Sequence, residues 1–438
     1  MSSHEMKAGY CGYRALGLVL SLKLLPFFIL YARISGRYGR HLEERLGFVR
    51  SALKEGPDGP FDLWLHAVSL GEVKVAAAIE ESLKVVMPGA RSLISTFTEH
   101  GRSLAREIFD DRIPIIYAPL DISWAVKKAI KTISPKIMVF LETEIWPAWI
   151  VEAHKKNIRI IIANGRISKR SLGRYRLIRP LLKEVFSCMD AFSMISQQDA
   201  ERIIMLGAPE KRVSVAGNAK YDMLSRAVNP LEQSEMTRIL SLSSDIAVIV
   251  AGSTRTGEEE MLLNAFAGIN KGLFSSLLIL APRHIARTGS VVTAIRAHGF
   301  ECQLWSDIKS GREKRTKQVV VVDTFGDLFR IYSVANIAFC GGSLVRLGGQ
   351  NPLEPAAWGK PVFHGPSMED FEDAISLLRR WGGSVEVPSP GLLTEQILWY
   401  LNRPEEMRKM GDAASRAVLS HKGAARRHAE VIAAALSK

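Results

Sequence analysis

Two short stretches carry acids where a reaction would need them. In "HAVSLGEV" an apolar run ends in a turn and a helix begins, with Ser69 and Glu72 at S-x-x-E spacing. That spacing is a capping box, in which Glu72 closes the start of a helix. The turn also leaves the carboxyl end of a strand, and Gly71 lets a substrate approach, so the same carboxylate suits a proton acceptor. The spacing leaves both readings open. A second cluster, "LETEIWP", sets Glu142 and Glu144 after another apolar run, with Pro147 suited to a first helical position. In the second half, "APRH" puts Pro282, Arg283 and His284 at a strand end, and "DTFGDL" makes a glycine turn with Asp327 opening a helix. The passage "FCGGSLVRLGGQNPLEPAAWGKPVFHGP" pairs Gly341 with Gly342 and Gly348 with Gly349, which lets backbone amides reach a ligand. Asn351 and Pro352 then start a helix, an end that attracts phosphate, and Glu354 in its first turn is either a dipole-favoured acid or an acceptor for ribose hydroxyls. Acids on strand ends of one half and phosphate-friendly turns in the other make a reaction centre.

Several common chemistries are disfavoured. "GSTRTGEEE" has the glycine spacing of a P-loop at Gly252 and Gly257, but Glu258 stands where the lysine belongs and would repel a triphosphate. No G-x-G-x-x-G occurs, which argues against a dinucleotide dehydrogenase, and neither a D-x-D nor a spaced histidine pair suggests a metal. If a nucleotide departs, its charge falls to amides, helix ends and cations such as Arg283 and Lys220, with no metal cofactor expected. Cys11, Cys188, Cys302 and Cys340 are scattered and form no C-x-x-C, which fits a reducing compartment.

The elements that must position these residues alternate in kind. A chain of 438 residues, 47% hydrophobic and 24% charged, is long for one domain and suits two. In the first half "FDLWLHAV", "RSLIST", "RIPIIYAPL", "KIMVFLETE", "IRIIIANG", "AFSMIS" and "RVSVAGN" read as strands separated by helix-length segments. After the Asn-Pro start of Asn229–Asp245, read as a linker, the pattern returns in "DIAVIVAGS", "SSLLILAPRH", "VVVVDTFGD", "NIAFCGGS" and "KPVFHGP". Near-continuous apolar strands between helices predict parallel sheets covered on both faces: two doubly wound α/β domains facing each other across a cleft. At the N-terminus, Ala15–Ala32 reads "ALGLVLSLKLLPFFILYA", about long enough to span a bilayer. Arg33, Arg37, Arg40, Arg45 and Arg50 follow it, so a single anchor would leave the rest on the cytoplasmic side. The net charge of +13 predicts anionic partners, and the chain lacks a basic-aromatic nucleic-acid module.

Taken together and in order, "HAVSLGEV", "LETEIWP", "NGRIS", "GNAKYD", "GSTRTGEEE", "APRH", "GGSL" and "GGQNPLEPAAWGKPVFHGP" resemble the 3-deoxy-D-manno-octulosonic acid (Kdo) transferases, which add Kdo to the lipid A precursor. The resemblance covers nearly the whole chain. It implies a GT-B fold of two Rossmann-like domains, with residues 1–45 as anchor and basic juxtamembrane segment, 46–228 as acceptor domain, 229–245 as linker and 246–438 as CMP-Kdo domain with the C-terminal helix, which in GT-B proteins crosses back to the first domain. It implies Glu72 as general base, Glu142 as supporting acid and Lys220 as stabiliser of developing charge. CMP contacts then fall on Pro282, Arg283, Phe325, Gly326, Asp327, Asn351, Pro352, Leu353 and Glu354. The implied partners are CMP-Kdo, the bisphosphorylated lipid IVA and the inner membrane. The sequence departs from the family at Arg255, often histidine in relatives, and at Ser367 and Asp370–Phe371. A sugar-nucleotide epimerase of similar two-domain plan is the alternative reading.

Overall fold

Residues 9–15, 27, 41–49, 53, 61–142, 144–272 and 275–436 are described by a computed structural model of the protein. The chain divides into two compact units, Met1–Asp222 with Gly423–Lys438, and Met223–Lys422. The first holds a seven-stranded sheet of β1 (Leu63–His66), β2 (Ser92–Thr96), β3 (Ile115–Tyr117), β4 (Ile137–Leu141), β5 (Arg159–Gly165), β6 (Ala191–Met194) and β7 (Val213–Val215), in the order β3-β2-β1-β4-β5-β6-β7. Every neighbouring pair is parallel. β4 reads Ile-Met-Val-Phe-Leu and is buried at every position, as a central strand covered by helices on both faces must be. Trp64 on β1 packs against Trp149 at a centroid separation of 4.8 Å, and Phe140, Phe186 and Phe192 complete the aromatic part of this core. Each such side chain contributes about 1.5–3 kcal/mol by leaving water.

The second unit repeats the plan with β8 (Ala247–Thr254), β9 (Ser276–Pro282), β10 (Cys302–Leu304), β11 (Val319–Val321), β12 (Ile337–Cys340), β13 (Val362–His364) and β14 (Ser384–Glu386), ordered β10-β11-β9-β8-β12-β13-β14 and again all parallel. All seven strands read in the first half are present, and five in the second. The two that escaped, β10 and β14, are three-residue strands at the sheet edges, where one side is unpaired and the apolar signal is short.

Three expectations need correcting. The stretch read as a linker contains the helix Pro230–Ile239, whose Met236 is buried in the second unit's core along with Leu240. Its Asn-Pro start is a helix cap, with Asn229 Oδ1 accepting from the Leu231 N–H at 3.0 Å and Pro230 at the first helical position, and not a turn. The 246–438 boundary runs too far: the last helix, Ala424–Leu436, belongs to the first unit, as the crossing back implied by the GT-B resemblance requires. Arg45, taken as a juxtamembrane charge, is 3% exposed. Its guanidinium donates to the Phe97 carbonyl at 2.7 Å and lies over the Tyr117 ring. Neighbouring Glu44 accepts from Arg102 and from the Tyr117 N–H, so residues 41–49 are stitched into the first unit.

Residues 9–15 are helical and also dock on the first unit, with Tyr10 fully buried and the Tyr13 hydroxyl donating to Asp121 at 2.5 Å. Apart from Ala15 and Phe27, the expected anchor run lies outside the described residues, as do Arg33, Arg37, Arg40 and Arg50. Among the described residues no helix is long and apolar enough to cross a membrane.

Candidate active site

Strand order places the first unit's acids. β1 lies between β2 and β4, so the connections leaving β1 and β4 run in opposite directions along the sheet, and the crevice of such a switch point lies at the carboxyl ends of these two strands. Glu72 follows β1, and Glu142 follows β4 directly. The helix Leu70–Val86 starts at Ser69, its N-cap, and Glu72 closes that end from within. One carboxylate oxygen accepts from the Val68 N–H at 2.8 Å and the other from the Ser69 hydroxyl at 2.8 Å. The capping function is therefore real, although the carboxylate reaches one residue further back than the usual box.

Glu72 as a whole is 6% exposed. Burial raises its pKa from 4.5 to about 7; the Val68 and Ser69 hydrogen bonds pull it down, while Glu144 and Glu142 push it up. A carboxyl poised there changes charge near neutrality, which a helix cap does not need and a proton acceptor does. Glu142 sits at φ 56°, a left-handed conformation that costs a non-glycine residue about 1–3 kcal/mol. This conformation accompanies an ion pair between its carboxylate and Lys220 Nζ at 2.5 Å. A Cβ built at Gly71 would meet the same Nζ at 3.6 Å, an ordinary contact, so the ammonium lies beside this turn. Glu144 accepts from Trp146 Nε1 at 2.5 Å. Burial raises its carboxyl too, and neighbouring Glu142 adds to the rise. Glu72, Glu142 and Lys220, widely spaced in sequence, are thus brought to one place.

The second unit gathers its turns at the equivalent position. β8 lies between β9 and β12, and the turn after β12 packs on the end of β8 so closely that a Cβ at Gly341 would sit 2.5 Å from the Ser253 carbonyl oxygen. Glu258, the residue that spoils a P-loop, accounts for this packing. Its carboxylate is wholly buried and accepts from the N–H groups of Gly342 at 2.6 Å, Ser343 at 2.9 Å, Leu344 at 3.0 Å and Arg255 at 2.9 Å. These four amides are therefore satisfied from inside the protein. In the sequence Glu258 only excludes a motif; three of its four partners lie more than eighty residues away, and nothing local signals those.

Of the expected CMP contacts, Pro282 ends β9 and the Arg283 N–H donates to the Thr254 carbonyl at 3.0 Å. Phe325 is 88% exposed and Gly326 adopts φ 92°, which leaves a bare ring and open backbone at the turn after β11. Asp327 is already engaged: its carboxylate accepts from Lys309 Nζ at 2.8 Å and from the Thr324 hydroxyl at 2.6 Å. Asn351 Oδ1 accepts from the Leu353 N–H at 3.1 Å across Pro352, and its amide donates to Glu354 at 3.1 Å. Arg255, at the position where the family often has histidine, donates to His284 Nε2 at 2.8 Å.

The sequence profile described as 3-Deoxy-D-manno-octulosonic-acid transferase (kdotransferase) matches residues 40–223. The 3-deoxy-D-manno-octulosonic acid transferase of Haemophilus influenzae is 32% identical over 419 residues, which cover 95% of this chain and 96% of that protein. The chain belongs to the Kdo transferase family. Two solved structures share the fold. A glycosyltransferase from Rickettsia africae superposes with a TM-score of 0.57 at 15% identity, covering 87% of this chain and 100% of that one. A UDP-GlcNAc 2-epimerase from Neisseria meningitidis superposes with a TM-score of 0.60 at 14% identity, covering 86% and 99%. Transferase and epimerase folds are alike at this level, so the fold alone does not separate the two readings. The full-length match to a Kdo transferase does.

Replacing Glu258 tests how far the second unit's turns depend on it. Each carboxylate oxygen accepts from two of the four donors, so Glu258→Gln turns an NH2 toward two backbone N–H groups and leaves them unpaired, at about 1–3 kcal/mol each. The expected result is an unfolding free energy lower by about the sum of these two costs, measured by denaturant titration.

Proposed function

We propose that this protein moves Kdo from CMP-Kdo to a primary hydroxyl of lipid IVA, the acylated glucosamine disaccharide precursor of lipid A, with inversion at the anomeric carbon. Glu72 takes the proton of the attacking hydroxyl as the new C–O bond forms, and the bond to CMP breaks from the opposite face. The bonding electrons leave with the CMP phosphate. Lys220, held by Glu142, offers its ammonium to the negative charge that develops. In this reading Pro282, Arg283, the Phe325–Asp327 turn and Asn351–Glu354 receive the nucleotide. Because Asp327 already holds Lys309 and Thr324, its share falls to shaping the turn. The observation that carries the reading is the buried carboxyl of Glu72, raised to about 7 beside Glu142 and Lys220 at a strand-end crevice.

The surface beside this crevice supports a lipid acceptor. Between Arg166 and Lys183 the chain has seven cations and no acid, more than half of the whole protein's excess of +13. The helix Lys169–Leu177 lies within that stretch, and Leu177 is 84% exposed next to exposed Arg176 and Arg179. Exposed aliphatic and cationic groups together suit an acylated, bisphosphorylated molecule in the cytoplasmic face of the inner membrane. Tyr175 on the same helix senses the Glu144 carboxylate, which helps raise its phenol after burial, so this surface is close to the acids.

The test incubates purified protein with CMP-Kdo, with and without the disaccharide lipid. Lipid-dependent CMP release, a lipid heavier by one or more Kdo residues, and the inverted anomer by NMR are expected. CMP release that ignores the lipid, or a retained anomer, overturns the proposal. With no metal assigned a step, transfer is expected to keep its rate in excess EDTA; loss of activity restored by a divalent cation would reject that part.

A further inference from the structure

The last helix of the chain reaches into the first unit beside the acids, and the proposed mechanism gives it no task. Its His428 is completely buried and uses both ring nitrogens. Nε2 lies 2.9 Å from the Gly217 carbonyl. A carbonyl only accepts, so Nε2 carries the proton. Nδ1 is then the acceptor for the Ser193 hydroxyl at 2.7 Å and the Asn164 N–H at 3.3 Å. The ring is a neutral, two-ended strut between β5, β6 and the loop after β7; burial holds its pKa down at about 4, so it stays neutral throughout the working range.

Other bonds converge on the same loop. Arg427, the preceding residue, donates from Nε to the Ala216 carbonyl at 2.7 Å. Asn164, held at φ 54°, accepts from the Ala219 N–H at 2.9 Å. The Lys220 N–H donates to Asn218 Oδ1 at 3.0 Å, which starts the helix Ala219–Ala227. Gly217 itself turns through φ 89°. Each peptide group from Ala216 to Ala219 is therefore fixed from a neighbouring element, and the next residue is Lys220, whose Nζ meets Glu142.

We infer that His428 is a positioning residue for Lys220: the final helix clamps the Ala216–Ala219 loop through His428 and so sets the ammonium between Glu142 and the Gly71 turn. A lysine has a long, flexible stem, and its head is placed only as well as its backbone is. A shift of about 1 Å in a charge-stabilising group is enough to cost about 100-fold in rate. This inference rests on the reading of Lys220 as a catalytic cation, so its test needs one arm that ignores catalysis.

That arm labels the full-length protein with 13C at lysine Cε and assigns Lys220 by the signal lost in Lys220→Arg. In His428→Leu, folded by circular dichroism, the Lys220 resonance is expected to move toward that of a free lysine; a resonance left in place overturns the inference, whatever the enzyme does. The kinetic arm expects kcat to fall by about 10–100-fold with KM for CMP-Kdo unchanged. In a Lys220→Ala background the same substitution is expected to cost nothing further, because its effect runs through Lys220. Full additivity of the two losses would reject the inference. If Lys220→Ala transfers Kdo normally, the catalytic reading of Lys220 falls, and the NMR arm still decides the positioning claim. Should His428→Leu fail to fold, Ser193→Ala removes one of the ring's partners and is read by the same two arms, with a smaller shift expected in each.

Discussion

Glu72→Gln is expected to lower kcat by about 10²–10⁴-fold while leaving KM for CMP-Kdo near its original value, because the side chain is lost as a proton acceptor and the donor contacts lie elsewhere. The wild-type rate is expected to rise with pH through about 7, where the carboxyl loses its proton, and the variant is expected to lose that limb. A rate-limiting step outside chemistry would mask the limb, so single-turnover measurement is the deciding assay. The same substitution has a stability signature of definite sign. A carboxyl whose pKa rises from 4.5 to about 7 on folding binds its proton more tightly in the folded state. Its contribution is fully present below the unfolded value and is lost as the pH climbs through the folded one, by about 3 kcal/mol at most. Glutamine carries no charge to bury, so Glu72→Gln is expected to melt higher than wild type at about pH 8, and the gain is expected to vanish near pH 4. Scanning calorimetry at the two pH values distinguishes this from a simple loss of the cap, which would destabilise at both. An inactive and more stable variant is the expected mark of a carboxylate held ready for chemistry at a cost to the fold.

The second large effect concerns the pair beside it. Lys220→Ala is expected to reduce kcat by about 10²–10³-fold, the usual loss when one donor to developing charge is removed. The substitution also leaves Glu142 unneutralised near Glu72. A bare negative charge makes a neighbouring carboxyl harder to ionise, so the rising limb of the pH profile is expected to move to higher pH. Glu142→Gln works in the opposite direction: it removes one of the charges that push Glu72 up, and the limb is expected to move lower. Lys220→Arg keeps the charge and is expected to leave the limb in place with a reduced kcat, because the guanidinium is bulkier and differently shaped. Opposite shifts in the two neutralised variants would be hard to obtain from general damage. A limb that stays put in both would separate Glu142 and Lys220 from Glu72 and break the proposed centre apart.

Much of this was legible in single stretches of the chain. Apolar runs such as Ile137–Leu141 announced central parallel strands because burial on both faces leaves no room for alternation. Ser69 and Glu72 announced a helix start because the capping geometry is local. Other features were not legible, for physical reasons that differ. β10 and β14 are short edge strands whose identity depends on a neighbour. Asn229–Pro230 is equally good as a turn or a cap, and only Met236 and Leu240 sinking into the second unit's core selects the cap. Arg45 looks like any other arginine in a basic stretch until the Phe97 carbonyl and the Tyr117 ring enclose it.

The sequence by itself determined the alternation of strand and helix, the local caps and turns, and the residue types able to move a proton or meet a phosphate, since each of these depends on neighbours a few positions apart. Tertiary structure alone decided which of them act together. The pairing of β1 with β4 brings Glu72 near Glu142, and the loop after β7 brings Lys220 to Glu142 and the Gly71 turn. Burial, which no residue carries in its own identity, turns a helix-capping glutamate into one that titrates near neutrality. The last helix shows the same rule at its longest reach: His428 meets Gly217 across more than two hundred residues of chain, and only the folded backbone could have put them side by side.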